Sequence, residues 1–395
     1  MLRKIKDIIK LVLRNFGRIK PITSNHLLYI FSSKNYHTFF GYYDTSPFSF
    51  DDSLLLACKV LKKGSPSSNS IKLGYFNLQE DHPEFIKFAE SNAWCWQMGS
   101  RLRWLNNKKN IVSYNSMENE NYINVFQDPF SGKILDIFKY PFYDINRNNS
   151  MAISLNFSRL ERLRPGYGYS KLPDPSIYNG IPPDDGLILY DIKNKKKKKL
   201  FSLEEISNNN RSDDMIEAHH YFNHVSFSPY SDHFIFFHLW AKSSIRNRRL
   251  FIYDPNKERV ELLSNNLVSH YSWKSEDEIL ITELDNNILK YNLYNIHSKT
   301  SSLIGEKILI EDGHPSFINS SEIITDTYPD LIGYQRLLRY DITKNEVFKI
   351  GTFYSPPKFT SDNKCDLHPR LNRNKNIVCV DSGSIGRREM VLLKI

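Results

Sequence analysis

His224-Val-Ser-Phe227 is the first of four copies of one short phrase, in which a histidine precedes a large apolar residue by three positions. The other copies are His270-Tyr-Ser-Trp273, His314-Pro-Ser-Phe317 and His368-Pro-Arg-Leu371. A polar turn and then an apolar run follow each copy, a pattern typical of a strand, a tight hairpin and a second strand. The four histidines therefore occupy one register.

The spacing of the copies predicts the architecture. The histidines are 46, 44 and 54 residues apart (224 to 270, 270 to 314, 314 to 368), close to the roughly 40–50 residues of one propeller blade. Three further copies without the histidine begin at Thr45, at Arg101 and, in degenerate form, near Ala152. Seven copies predict an all-β chain that forms a seven-bladed β-propeller over residues 21–395. A strand over residues 25–33 is expected to complete the last blade.

Composition agrees with a large β core in a reducing compartment. The chain has 395 residues, with 23 Tyr and 25 Phe, and it shows no regular alternation of strands with helices. Its four cysteines are too few and too scattered for a disulfide framework, and no secretory signal precedes them. We therefore expect a cytoplasmic protein.

Residues 1–20 predict a basic amphipathic helix. Apolar residues recur there at steps of three and four, and seven basic side chains stand against one acidic one. Such a helix can lie on an anionic membrane surface, here the inner leaflet. It can equally cap the propeller or dock on a partner. Charges interrupt the apolar stretch too often for it to span a bilayer.

The run Lys195–Lys199 predicts an outer hairpin of blade three rather than a nucleic-acid site. Its five lysines have no interleaved aromatic residues, and lysine is common on exposed edge strands. Most of the net charge of +9 belongs to residues 1–20. We expect no nucleic-acid partner.

The shared register predicts a metal site. Equivalent residues of successive blades come round a ring at one end of the channel, so His224, His270, His314 and His368 converge, with Cys365 three residues before the last. Not all four histidines are expected to be ligands, and the metal ligands predicted are His270, His314, Cys365 and His368. Imidazole and thiolate are ligands of zinc and its neighbours among the transition metals. The alternative is that each histidine hydrogen-bonds the backbone of the next blade, as a repeated residue can. A histidine not used as a ligand is suited to act as a general base or acid.

Other residues near the same end complete the predicted site. Arg101 replaces the histidine in blade two and can grip a carboxylate, and Tyr43 lies just before the first inner strand. The segment 160–169 is predicted to be a rim loop. Five residues are predicted to bind substrate: His220, Arg164, Tyr167, Tyr169 and Arg370.

Three phrases of the sequence carry a resemblance to a known family. His220-Tyr-Phe-Asn-His-Val-Ser-Phe-Ser-Pro229, Asp312-Gly-His-Pro-Ser-Phe317 and His368-Pro-Arg-Leu371 resemble those of oligogalacturonate lyases and, more distantly, ulvan lyases, which are seven-bladed propellers. A further group of such propellers is matched more closely, through Phe40-Gly-Tyr-Tyr-Asp-Thr-Ser-Pro-Phe48, Arg164-Pro-Gly-Tyr-Gly-Tyr169, Thr325-Asp-Thr-Tyr-Pro-Asp330 and Cys365-Asp-Leu-His-Pro-Arg370. The likeness covers nearly everything after residue 36.

The resemblance implies β-elimination on a uronate-containing saccharide. It implies that His224 is the base and that His314 and His368 bind manganese or zinc. Cys365 departs from the family pattern, and a thiolate would favour zinc. A second hypothesis is a non-catalytic, glycan-binding propeller in polysaccharide assembly at the membrane, which the basic N-terminal helix would suit. A third is a protein-interaction propeller.

Overall fold

The computed structural model describes residues 20–106, 110–243 and 245–395. The helix predicted over residues 1–20 lies outside these residues, apart from Lys20. Within the described part of the chain, the strands form seven antiparallel sheets of four or five strands each. This confirms the predicted seven-bladed β-propeller.

The strands follow one another from the channel outward in every blade. The first two strands, β1 (Ile22–Thr23) and β2 (Leu27–Phe31), belong to the last two blades. Blade one contains β3 (Tyr36–Phe39), β4 (Leu54–Leu61), β5 (Ile71–Asn77) and β6 (Ile86–Ser91). Blade two contains β7 (Arg103–Trp104), β8 (Val112–Glu118), β9 (Asn121–Gln127) and β10 (Ile134–Phe138). Blade three contains β11 (Asp144–Ile145), β12 (Met151–Ser154), β13 (Gly186–Asp191) and β14 (Lys196–Ser202).

The four remaining blades hold the histidines. Blade four contains β15 (His219–Phe227), β16 (Phe234–Lys242), β17 (Ile245–Asp254) and β18 (Arg259–Ser264). Blade five contains β19 (Leu267–Trp273), β20 (Glu278–Asp285), β21 (Ile288–Asn295) and β22 (Ser301–Ile304). Blade six contains β23 (Ser316–Asn319), β24 (Glu322–Asp326), β25 (Tyr334–Asp341) and β26 (Glu346–Tyr354). Blade seven contains β27 (Arg370–Leu371), β28 (Ile377–Ser382) and β29 (Glu389–Lys394).

The N-terminal strands close the ring. As predicted, β2 pairs with β29 and supplies the outermost strand of blade seven, while β1 pairs with β26 as a fifth strand of blade six. Phe31 of β2 is 2% exposed, and its ring lies 4.3 Å from that of Phe76 in blade one. One strand therefore joins the last blade to the first by both backbone pairing and apolar packing.

The phrase predicted for blade three is displaced by one strand. Ile145 pairs with Ala152, just as Trp104 pairs with Val112 and Phe227 with Phe234. The innermost copy is therefore residues 142–145, and the residues from Ala152 belong to the second strand. This copy begins with Phe142, without the histidine or arginine that marks five of the phrases, and the sequence pattern therefore did not reveal it.

Among the described residues, two short α-helices interrupt the β structure. Helix α1 (Phe157–Leu163) follows β12, and its N-cap residue Asn156 accepts a hydrogen bond from the backbone N–H of Arg159. Helix α2 (Leu203–Asn208) follows β14 and begins with a capping box. The segment 160–169, predicted to be a loop, is therefore helical as far as Leu163. The predicted outer hairpin of lysines is confirmed as β14.

Among the residues that the structure describes, no helix is both long enough and apolar enough to cross a bilayer.

Closure of the ring generates a stability prediction. Phe31→Ala should lower the free energy of unfolding by about 3–5 kcal/mol, because it removes a buried ring between the last and first blades. Leu28 of the same strand is 49% exposed, so Leu28→Ala should change that free energy by less than about 0.5 kcal/mol. Urea denaturation of both variants measures the difference, and equal effects would contradict this account of closure.

Candidate functional site

The four histidines of the repeated phrase meet at one end of the central channel. The ring centroids of His270 and His314 are 4.1 Å apart, and those of His314 and His368 are 4.4 Å apart. The ring of Tyr42 stacks on His224 at 4.9 Å and lies 4.8 Å from His368. All four histidines are buried. The shared register thus gathers imidazoles from four blades around one tyrosine.

The backbone is distorted at the register position. His224 and His368 have φ angles of 49° and 47°, and Arg101, at the same position in blade two, has φ 54°. This left-handed conformation is unfavourable for residues with a side chain. At His224 the pairing of β15 with β16 also shifts register between Asn223 and Ser226, and such bulges re-aim side chains. The inner strands therefore depart from regular β geometry at His224, His368 and Arg101.

Asp326 orients two of the histidines. Its carboxylate oxygens lie 2.8 and 3.0 Å from Nδ1 of His314, and Oδ2 accepts a hydrogen bond from the backbone N–H of His368 at 3.1 Å. Nδ1 of His368 donates to the carbonyl of Gly41 at 3.1 Å. Because Nδ1 carries the proton in both rings, each Nε2 presents a lone pair.

His314, Asp366 and His368 form a group with the geometry of a metal site. Their ligand atoms all lie within 4.8 Å of one another. Nε2 of His368 and Oδ1 of Asp366 are buried and accept no hydrogen bond from a described residue. Oδ2 of Asp366 lies 2.9 Å from Nζ of Lys364, close enough for an ion pair but without hydrogen-bond alignment. Two imidazoles and a carboxylate suit zinc or manganese, so these residues fit a divalent metal.

Two of the predicted metal ligands lie outside this group. Asp366, not Cys365, joins the two histidines, and burial raises the pKa of the Cys365 thiol to about 12. His270 lies beside the group, with its Nδ1 held 3.0 Å from Asp312 and its Nε2 3.5 Å from the hydroxyl of Tyr328.

His224 is a buried imidazole whose two ring nitrogens have no hydrogen-bond partner among the described residues. Burial, reinforced by the charge of Arg164, lowers the pKa of His224 well below its ordinary value. Burial also lowers the pKa of His368 well below that value, and that of His270 to about 4. These imidazoles are therefore neutral at pH 7, which is the state in which an imidazole binds a metal ion.

Three cations lie near the histidine cluster. The Arg164 guanidinium lies over the ring of Tyr167 at 4.1 Å, and the Lys364 ammonium lies over the ring of Tyr328 at 3.5 Å. Arg248 is half-buried and donates to the carbonyl of Val268. Burial and the charge of Arg164 lower the pKa of Arg248. Neither arginine forms an ion pair with a carboxylate of the described residues, so both can receive an anion.

A long insertion in blade three places Arg164 and Tyr167 beside the histidine cluster. It runs from β12 to β13 and is held by Arg159, which is 1% exposed. The guanidinium of Arg159 donates to the carbonyls of His220 and Gly180 at 2.6 and 2.7 Å and pairs with Asp174 at 3.4 Å. Tyr167 consequently sits with its ring 5.6 Å from that of His224.

Three residues of the predicted site have buried structural contacts and do not belong to the histidine cluster. Tyr169 is fully buried, and its ring stacks on Phe157 at 4.3 Å. Arg101 forms a buried ion pair with Asp44 at 3.0 Å and donates to a main-chain carbonyl. Arg370 forms a buried ion pair with Asp381 at 2.8 Å. The side chains of Tyr169, Arg101 and Arg370 therefore stabilise the fold through these contacts.

Tyr43, predicted to be catalytic, also has a structural contact, because its hydroxyl is hydrogen-bonded to the backbone of Tyr271. Its hydroxyl donates to the carbonyl of Tyr271 at 2.8 Å and accepts from the N–H of the same residue at 2.9 Å. This clamp joins blade one to blade five across the channel.

His220 belongs to a buried chain of hydrogen bonds away from the cluster. Its Nε2 donates to the carbonyl of Met215 at 3.0 Å, so Nδ1 accepts from Nε2 of His238 at 2.9 Å. Nδ1 of His238 in turn accepts from Nε of Arg249 at 3.1 Å. The chain requires both imidazoles to be neutral, and burial lowers the pKa of His220 to about 4. The structure thus gives His220 a structural position.

Four groups at the site were not singled out from the sequence: Asp326, Asp366, Arg248 and Lys364. Asp326 and Asp366 stand inside the matched phrases, one of them directly beside Cys365, so the phrases were a usable signal. Arg248 lies in the third strand of its blade, and only the tertiary structure brings it to the channel.

Comparison with solved structures finds the same fold. An oligogalacturonate lyase in complex with manganese aligns with a TM-score of 0.63 and 10% sequence identity, covering 95% of this chain and 97% of that one. An oligogalacturonate lyase from Vibrio parahaemolyticus aligns with a TM-score of 0.63 and 12% identity, covering 95% and 98%. The β-propeller domain of the Trilobed protease from Pyrococcus furiosus aligns with a TM-score of 0.51 and 11% identity, covering 92% and 94%. No protein-family model and no curated protein matches the sequence.

The His220 chain generates a pH prediction. Between pH 6.5 and pH 4 the unfolded chain binds a proton at this residue that the folded chain does not, so the free energy of unfolding should fall as the pH falls through this window. In His220→Gln the slope of that free energy against pH should be smaller by up to about 1.4 kcal/mol per pH unit. Urea denaturation at several pH values measures both slopes, and equal slopes would show that His220 is protonated alike in both states.

Proposed function

We propose that the protein is a metal-dependent lyase that cleaves uronate-containing oligosaccharides by β-elimination. The observation that carries the proposal is the arrangement of His314, Asp366 and His368, whose buried ligand atoms converge beside an unpartnered imidazole, His224. The shared fold with oligogalacturonate lyases, one of them in complex with manganese, supports the same chemistry.

The metal site would be held by His314, Asp366 and His368. A divalent ion bound there would supply a positive charge beside the carboxylate of the sugar. Asp326 keeps the proton of His314 on Nδ1, which leaves Nε2 as the ligand atom. The low pKa of His368 keeps that ring neutral, as a ligand must be.

The remaining residues have distinct parts in the elimination. Arg164 and Arg248 bind the substrate carboxylate with charge-assisted hydrogen bonds. His224 removes the proton from the carbon next to that carboxylate, and the released electron pair forms a carbon–carbon double bond. The bond to the 4-linked oxygen breaks in the same process, and that oxygen takes up a proton from solvent. Tyr42 fixes the plane of His224 by stacking on its ring.

Metal content tests the first part of the proposal. The purified protein should retain about one zinc or manganese ion per chain, measured by elemental mass spectrometry, because three ligands are already oriented. His314→Ala and Asp366→Ala should lose this ion, and Asp326→Asn should weaken its binding about 10–100-fold. Cys365→Ser is the matched control and should retain the ion. Loss in Cys365→Ser to the same extent as in Asp366→Ala would contradict the ligand set.

Activity tests the second part. Incubation with oligogalacturonate should yield an unsaturated product that absorbs in the ultraviolet. His224→Ala should lower the rate about 10²–10⁴-fold, because it removes the base, while the metal content stays at the level of the wild type. His26→Ala, an exposed histidine on the outside of blade seven, serves as control. Sugar and metal binding without any product would favour the non-catalytic glycan-binding function.

A further inference from the structure

The central channel holds a cavity next to the histidine cluster. This cavity has a volume of about 870 Å³, and all seven blades contribute to its wall. None of the four clustered histidines lines it. Tyr43 lies between the two sites, since it lines the cavity and its ring is 5.2 Å from that of His314. A volume of this size is typical of sites for small molecules.

The wall of this cavity carries an excess of positive charge. Five basic and two acidic residues line it. Both acids are already paired, Asp44 with Arg101 and Asp144 with Arg103. Arg370 is paired with Asp381 outside the wall. Three cations of the wall therefore remain without a carboxylate partner among the described residues: Arg147, Arg373 and Lys375.

All three belong to exposed residues at the mouth of this cavity, Arg147 from blade three and Arg373 and Lys375 from blade seven. Arg147 and Lys375 donate to main-chain carbonyls, those of Tyr230 and Phe317. The guanidinium of Arg373 makes no hydrogen bond or ion pair with a described residue. The nearest acid, Asp52, accepts from the backbone N–H of Arg373 and from neighbouring amide groups. The mouth thus presents free positive charge to solvent.

Aromatic and hydrogen-bonding groups line the wall behind the cations. Trp104, Trp273 and Phe317 present ring surfaces, and serine and asparagine side chains lie between them. Trp273 is 7% exposed, and its indole N–H has no hydrogen-bond partner among the described residues. Flat apolar rings, short polar side chains and cations together match a hydroxylated ring that carries a negative charge.

We propose that this mouth of the channel is a binding site for an anionic sugar, held by Arg147, Arg373 and Lys375 against the aromatic wall. The shared chemistry is a sugar ring with an anionic group, which a carboxylate or a phosphate can provide. The site is separate from the metal group, and the proposal stands whether or not the protein is a lyase.

Isothermal titration of the full chain tests the proposal. Galacturonic acid, glucose 6-phosphate and glucose serve as probes for the carboxylate, the phosphate and the neutral ring. At least one of the two anions should bind saturably, and glucose should bind at least about tenfold more weakly, because it cannot make the charge-assisted hydrogen bonds. The tighter anion identifies the charged group. Failure of both anions to bind, or equal binding of glucose, would overturn the proposal.

Variants distinguish this site from the metal group. Arg373→Gln and Lys375→Gln should each weaken binding of the anion about tenfold. Lys257→Gln, an exposed lysine on an outer turn of blade four, should leave it unchanged. His314→Ala should also leave it unchanged, once its urea unfolding midpoint has shown that the chain is folded. Unchanged binding in Arg373→Gln, or loss of binding in folded His314→Ala, would show that the anion binds elsewhere.

Discussion

Residues 40–44 hold the inner ends of the blades around one point. This segment leaves the first inner strand, and the backbone N–H groups of Phe40 and Gly41 donate to the carboxylate of Asp381 in blade seven. The clamp of Tyr43 reaches blade five, and the ion pair of Asp44 reaches blade two. Tyr42 contacts histidines of blades four, six and seven. The positions of the clustered side chains depend on this one segment.

Gly41 makes that path possible. Its φ of 142° lies in a region that residues with a side chain rarely adopt, and a Cβ there would lie 2.9 Å from the carbonyl carbon of Met98. Its own carbonyl accepts from both His368 and Arg370. The glycine thus lets the backbone approach blade two while it fixes one histidine of the cluster. The backbone of Gly41 therefore helps to fix the position of His368 in the cluster.

The sequence was most informative where a period sets the geometry. Equivalent positions in successive blades must meet at the channel, so the repeated phrase predicted the blades and the gathering of His224, His270, His314 and His368. The sequence was least informative about which of two neighbouring residues faces the cluster, and about which side chains already have a partner in the folded chain. Asp366 and Cys365 are neighbours in sequence, and only the structure shows which of the two faces the histidines. Nothing in the local pattern says that Arg101 is already paired with an acid.

Two classes of buried polar group separate the structural residues from the functional ones. The pairs of Arg101 with Asp44 and of Arg370 with Asp381 satisfy one another, and breaking a buried pair is strongly destabilising. The imidazole of His224 and Nε2 of His368 have no such partner. A buried polar group without a hydrogen bond destabilises the fold by about 1–3 kcal/mol. These nitrogens of His224 and His368 are unpaired at backbone positions with positive φ, and this is the form of a site that a ligand completes.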